Sequence, residues 1–260
     1  MENKEDNVIS SIDYAKILKD TPEAPTTKFK MPMFDSYTGG FMGGDLIAIT
    51  GYTGHGKTTL SQLFTKNIAE QGIKLMWYSY EVTPRKFLNK FSKLPLFYLP
   101  KKKSSGFEWL ANSMREAKKK HGIKVVFIDH LHYIVDMMPT NNVRQDMIIG
   151  SMCRNLKQFA IDEDMTIFLI VHTGQPRDDS PPTLGSIRDS SFIGQEADAV
   201  YAINRARQRG QGGDMYKAES DLIILKQRET GTMGKKVKLI YKDGMLQEEI
   251  PEDIERSLEA

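Results

Sequence analysis

Apolar and polar positions change period several times along this chain, and the changes outline its elements. Residues 1 to about 27 are polar, with a short helical spacing (Val8, Ile12, Ala15, Leu18) that stops before Pro22 and Pro25. From Asp45 an apolar run, Leu46-Ile47-Ala48-Ile49, ends in a glycine-rich stretch, and a helical pattern follows from Lys57 to about Gln71. Further strands are expected at Lys74–Tyr80, Lys124–Asp129, Thr166–Val171, Ala199–Ile203 and Leu222–Gln227, with helical patterns between the earlier ones. Strands alternating with helices predict parallel βαβ units and an α/β fold with a mainly parallel, twisted, doubly wound sheet. The end of the chain differs: Lys235–Tyr241, Asp243-Gly244 and Met245–Glu249 predict a C-terminal β-hairpin. Gly210, Gly212 and Gly213 predict a mobile loop before the Leu222 strand.

Composition adds bounds and little chemistry. The 260 residues are 40% hydrophobic and 27% charged, the balance of a chain that buries a full core. No apolar run approaches the roughly 20 residues that span a bilayer, so no membrane partner is expected. The polar N-terminus lacks the regions of a secretory signal, which predicts a cytoplasmic protein. Cys153, the single cysteine, excludes an internal disulfide and is read as a core residue. A net charge of +2 gives no argument for a nucleic-acid partner, and the runs Lys101 to Lys103 and Lys118 to Lys120 read as solvated faces.

Candidate chemistry begins at Gly51-Tyr52-Thr53-Gly54-His55-Gly56-Lys57-Thr58, followed by Thr59, which matches G-x-x-x-x-G-K-S/T between a strand and a helix. Glycines let backbone N–H groups approach phosphate oxygens, Lys57 supplies a cation for the β and γ phosphates, and Thr58 offers a hydroxyl to Mg²⁺. ATP or another nucleoside triphosphate, with Mg²⁺, is the expected ligand. Val125-Val126-Phe127-Ile128-Asp129 is an apolar strand ending in a carboxylate, and Asp129 is the candidate second metal contact. Glu81 follows a strand at the same expected sheet edge, where it is either a base for an attacking water or a surface carboxylate. His172 ends another strand and is either structural or within reach of the γ-phosphate.

Taken in order, these pieces make the chain resemble the RecA-like motor domain of hexameric replicative helicases, the DnaB type and its phage primase-helicase and Twinkle relatives. The resemblance covers about residues 30 to 250. It rests on Thr38-Gly39-Gly40 to Gly44-Asp45-Leu46, the phosphate loop, Ser79-Tyr80-Glu81, Phe127-Ile128-Asp129-His130-Leu131, Arg188-Asp189-Ser190 with Gln195-Glu196-Ala197-Asp198, and Lys226-Gln227-Arg228. It implies a RecA-like P-loop NTPase fold, with Glu81 as catalytic glutamate, Asp129 as Walker B aspartate and His172 as γ-phosphate sensor. It also implies that Lys226 and Arg228 reach across a subunit boundary to the neighbour's nucleotide. Such a finger contributes on the order of 10³ to 10⁵ in rate. The segment from about Pro176 to Asp189 corresponds to the family's DNA-holding channel loop, which makes Arg188, Asp189 and Ser190 DNA-contact candidates. Asp178 and Asp179 offset the charge of Arg177 and Arg188, and Ser191 stands where the family usually has glycine. A second loop, from about Met137 to Gln145, carries one cation, Arg144.

The division this implies is a linker or strap over residues 1–27 and a RecA-like ATPase domain over 28–260. The N-terminal segment either covers its own domain or docks on a neighbouring subunit. Only that segment stands where DnaB-type proteins carry a helical domain and phage relatives a primase, which reads as a minimal helicase or an isolated motor. The expected function is an ATP-driven helicase of a bacterial or phage-infected cell that translocates on single-stranded DNA as a hexameric ring, with a primase or loader as further partners. Two alternatives stand beside it: a RecA-like DNA-binding filament or accessory ATPase without unwinding, and a regulatory or clock-type ATPase ring that ignores DNA.

Overall fold

The computed structural model describes residues 8–21, 25–104, 106–136, 144–174, 180–187, 190–208 and 215–251. In chain order the elements are α1 (Ser11–Lys19), α2 (Pro32–Thr38), β1 (Leu46–Thr50), α3 (Lys57–Ala69), β2 (Leu75–Ser79), α4 (Pro84–Leu88), α5 (Phe107–His121) and β3 (Val125–Asp129). They continue with α6 (Leu131–Asp136), α7 (Gln145–Asp162), β4 (Thr166–Ile170), α8 (Ser190–Glu196), β5 (Ala199–Gln208), β6 (Met215–Gln227), β7 (Lys236–Lys242) and β8 (Met245–Glu248).

The eight strands form one sheet in the order β2-β3-β4-β1-β5-β6-β7-β8. The first five in that order pair in parallel, and β6, β7 and β8 extend the sheet with antiparallel pairs. Strands β1 to β4 are buried at every residue. That is why their sequences are continuous apolar runs, as expected of strands covered on both faces. Strand β7 alternates exposed and buried positions along its first half, the mark of a strand with one wet face.

Each face of the sheet carries its own core. On one, Met76, Val126, Ile128, Ile167 and Leu169 meet Leu110, Met114, Ile149, Leu156 and Phe159 of α5 and α7. On the other, Ile47, Ile49, Trp77, Phe127, Phe168 and Ile170 meet Phe34, Leu60, Phe64 and Phe87. Trp77, Phe127 and Phe168 stand in register on β2, β3 and β4. Their rings stack at 4.7 and 4.5 Å with interplanar angles of 7° and 9°. This aromatic row ties together β2, β3 and β4, three of the four strands whose tips carry candidate chemistry.

The fold matches the expected α/β class, mainly parallel sheet and C-terminal hairpin, with two differences in element length. Helix α3 ends at Ala69, short of Gln71. Strands β5 and β6 run well past the apolar segments, pairing Asn204 with Asp221, Arg205 with Ser220 and Gln208 with Met215. The added residues are largely polar, so hydrophobic period does not report them. The glycine-rich stretch Gly210 to Gly213 lies outside the described residues. Helix α1 forms where its pattern predicts, capped by Ser10, and none of its residues is buried. The run Lys118 to Lys120 sits in the last turn of α5 before the left-handed Gly122. Positive side chains there are favoured by the partial negative charge of a helix C-terminus.

Candidate nucleotide and metal site

Parallel strands direct the segments that follow them to one edge of the sheet. In this topology the tips of β1, β2, β3 and β4 deliver the phosphate loop, Glu81, Asp129 and His172 to the same edge. The loop leaves Thr50 through Gly51, whose φ is 147°. A Cβ there would lie 2.5 Å from the carbonyl oxygen of Ile203, so only glycine allows the loop to start this close to β5. Gly56, at φ 101°, turns the chain into α3 and leaves that helix's first N–H groups facing the loop.

Lys57 is buried, 8% exposed, and its Nζ donates to the carbonyls of Gly51 at 2.8 Å and Tyr52 at 3.3 Å. Burial lowers its pKa, while the negative charges of Glu81 and Asp129 raise it. His55 is also buried; its Nδ1 accepts from the backbone N–H of Arg205 at 3.0 Å, which fastens the loop to β5. Tyr52 packs its ring against His55, with centroids 5.3 Å apart, while Thr53 and Gly54 are exposed. Beside Gly54 and Thr59 a cleft opens between the loop and the antiparallel strands, lined by Arg205, Ser220 and Tyr241.

Asp129 is 1% exposed, and its pKa is pushed up to about 6 by burial and by Glu81, against the opposing pull of Lys57, Lys90 and a hydrogen bond from Thr58. Its Oδ1 has no hydrogen-bond partner among the described residues. A buried carboxylate oxygen without a donor, beside a threonine hydroxyl, fits a hard divalent cation that takes oxygen ligands. Asp129 and Thr58 would therefore hold Mg²⁺. The glycine loop, Lys57 and the N-terminus of α3 fit a polyphosphate.

Glu81, exposed just past β2, reaches the same group. One ligand atom each from Glu81, His130 and His172 lies within 4.8 Å of the other two. The rings of His130 and His172 stand edge to face with centroids 4.2 Å apart. His130 is 7% exposed, and burial together with His172, His132 and Lys57 pushes its pKa down to about 3, so the imidazole is neutral. The motif Phe127 to Leu131 contains His130, but nothing in its spacing gave it a role; its alternation with His132 was the available signal. Lys103, read as part of a solvated run, is half-buried with its ammonium 5.6 Å from the Tyr80 ring centre, while Lys101 and Lys102 are exposed as expected.

Lys226 and Arg228 lie elsewhere. Gln227 pairs with Ala199 at the start of β5, whereas Thr50, from which the phosphate loop departs, pairs with Ala202 further along that strand. The two cations are thus at the opposite edge of the sheet from this chain's own loop. Lys226 Nζ donates to the carbonyls of Gly194, Gln195 and Ala197 at the end of α8. Arg228 pairs with Asp198 at 2.9 Å, and Asp198 also accepts from Lys157 at 2.6 Å and from the backbone N–H of Leu46. Of the DNA-contact candidates, Arg144 precedes α7 and pairs with Asp146 at 2.6 Å on the surface, and Ser190 is the first residue of α8. Arg188 and Asp189 lie outside the described residues, as do 137–143 and 175–179.

Comparison with known proteins agrees with this fold. Residues 83–248 match the family model of the DnaB-like helicase C-terminal domain, and residues 27–96 match the KaiC ATPase model, which covers only the phosphate-loop part of the chain. The replicative DNA helicase DnaB of Treponema pallidum is 27% identical over 229 residues, covering 75% of this chain and 49% of the relative. The replicative DNA helicase DnaB of Mycoplasma genitalium is 25% identical over 250 residues, covering 80% of this chain and 53% of the relative. The chain thus spans about half the length of these relatives. The ATPase domain of G40P superposes with a TM-score of 0.73 at 18% identity, covering 92% of this chain and 99% of that one. A DnaB-like replicative helicase, solved in work on its interactions with primase, superposes at 0.71 and 16% identity, covering 93% of this chain and 67% of that one. These structures share the fold: a mostly parallel RecA-like sheet continued by antiparallel strands. Among the described residues no helix is long and apolar enough to cross a membrane.

Proposed function

The chain belongs to the family of DnaB-like helicase C-terminal domains, and on that premise we propose that it is the motor of a ring helicase, hydrolysing ATP between subunits to move along single-stranded DNA and separate a duplex. The observation that carries this reading is the division of the site between the two edges of one sheet. Lys57, Thr58, Asp129, Glu81 and His172 gather at one edge, and Lys226 and Arg228 stand at the other. A chain built this way completes its site only with a neighbour, and head-to-tail repetition of such a contact gives a ring where the rotation closes and a filament where it does not; the ring is the form proposed. A hexamer in the cytoplasm of a bacterial or phage-infected cell is the assembly proposed.

Within the site, the loop amides and Lys57 bind and orient the phosphates, and bound Mg²⁺ would supply charge neutralisation on their oxygens. Glu81 orients a water and takes its proton, and His172 reports the γ-phosphate to the segment that follows it toward α8. The partner's Arg and Lys meet charge that develops away from the loop. DNA contacts are assigned to Arg188, Asp189 and Ser190 with Arg144 as a second cation, and α1 is assigned to the neighbouring subunit as a strap. A primase or loader is a further proposed partner, since a solved relative was studied in its interactions with primase.

The test is steady-state ATPase rate per subunit against protein concentration, with and without single-stranded DNA, followed by an unwinding assay. A rate that rises with concentration and again with DNA, with strand separation, is the expected result. A rate flat in both, without unwinding, leaves a nucleotide site and removes the helicase.

A further inference from the structure

Three neighbouring strands, β2, β3 and β4, each place one metal-binding side chain past its tip: Glu81, His130 and His172. One ligand atom from each lies within 4.8 Å of the others. Ligand atoms about 2.1 Å from a shared ion stand roughly 3.4 Å apart in a tetrahedron, so small side-chain rotations would close the set. Glu81 is exposed and has room to rotate. His130 is buried, and its Nδ1 has no hydrogen-bond partner among the described residues.

We propose that Glu81, His130 and His172 form a second metal site, selective for a borderline transition ion of the Zn²⁺ class, and that filling it switches hydrolysis off. The ligand types sort the two sites. Asp129 and Thr58 offer oxygens only, which suits Mg²⁺, whereas two imidazoles and one carboxylate suit Zn²⁺ or Co²⁺ and leave a fourth position for water or a phosphate oxygen. The inhibitory half rests on the reading of Glu81 as the group that activates water. A carboxylate bound to Zn²⁺ shares the lone pair that would take the proton, so nucleotide still binds and turnover stops.

The experiment titrates Co²⁺ into tag-free, nucleotide-free protein and follows the strong visible absorption of four-coordinate Co²⁺. One equivalent should develop the bands, Zn²⁺ should remove them, and excess Mg²⁺ should not. His130→Asn and His172→Gln, each checked for a cooperative thermal transition, should weaken Zn²⁺ binding by more than the roughly 10- to 100-fold that loss of an outer-shell partner costs. Only the weak spectrum of aquo Co²⁺ in the unmodified chain, or binding that both variants retain, overturns the site. Mg-ATP hydrolysis is then measured with Zn²⁺ slightly above the protein and far below Mg²⁺. Loss of turnover in the unmodified chain, restored by a chelator and absent in His130→Asn, is the expected result. If one Zn²⁺ binds and hydrolysis continues, the metal site stands and Glu81 is not the base.

Discussion

Asp129 joins two demands that conflict. The metal-binding role proposed for it needs an ionised carboxylate, and the residue is buried at the end of an apolar strand. The result is a pKa raised from 3.8 to about 6, by burial first and Glu81 second. The folded chain therefore holds this proton more tightly than the unfolded chain does. The ionised group costs stability above about pH 6, on the order of 3 kcal/mol for a shift of this size, and the cost fades as pH falls toward 3.8. His130 acts with the opposite sign: burial lowers its pKa from 6.5 to about 3, so its contribution to stability is lost as pH falls through that window. Asp129→Asn removes the first effect and keeps the second. In nucleotide-free thermal melts the variant should be the more stable protein at neutral pH, with the advantage shrinking as pH falls below about 6, while Mg²⁺-dependent nucleotide binding is lost throughout. A stability difference that ignores pH would mean that this carboxylate carries no such cost. At this scale the sequence was most readable where chemistry is local. Lys57 and Thr58 are set by one contiguous motif, whereas the grouping of His130 with Glu81 and His172 depends on strand order, which no single segment encodes.

Elements were readable to the extent that burial makes a period. The central strands, covered on both faces, appear as continuous apolar runs with ends correct to a residue or so. The outer parts of β5 and β6 do not, because partly solvated pairs such as Asn204 with Asp221 leave no apolar signature. Helix α1 shows the reverse case: its helical spacing is plain, but what it faces is not. Its apolar residues Ile12, Tyr14, Ile17 and Leu18 are 69%, 54%, 55% and 55% exposed. A nine-residue helix has little stability of its own in water, so its apolar side needs a surface outside this domain. If that surface is a neighbouring subunit, deleting residues 1–21 should leave the melting temperature of the domain within about 2 °C, as expected when ΔΔG is below roughly 0.5 kcal/mol. The same deletion should shift assembly, read by sedimentation velocity with nucleotide present, toward smaller species. A truncated chain that assembles as the intact one does would free α1 from the strap role.

For the whole molecule, the proposed division of the site between the two edges of the sheet makes a quantitative demand. Lys57→Ala subunits keep Arg228 and lose the loop cation, and Arg228→Ala subunits keep the loop and lose the finger. Each variant alone has a defective site at every interface. In a ring assembled from equal parts of both, an interface works only where an Arg228→Ala subunit supplies the loop and a Lys57→Ala subunit supplies the arginine. With random mixing that is about one interface in four, so hydrolysis should recover to at most roughly a quarter of the unmodified rate, less if subunits must fire in sequence. Nucleotide binding should separate the parents beforehand, being lost in Lys57→Ala and largely kept in Arg228→Ala. Arg228 is held by Asp198, which also fixes Lys157 and the start of β1, so handing the arginine to a neighbour's nucleotide exchanges one charge-assisted contact for another. A mixture no more active than its parents, although exchange of subunits is demonstrated, would confine Arg228 to its pairing with Asp198 and leave the site without a contribution from the next chain.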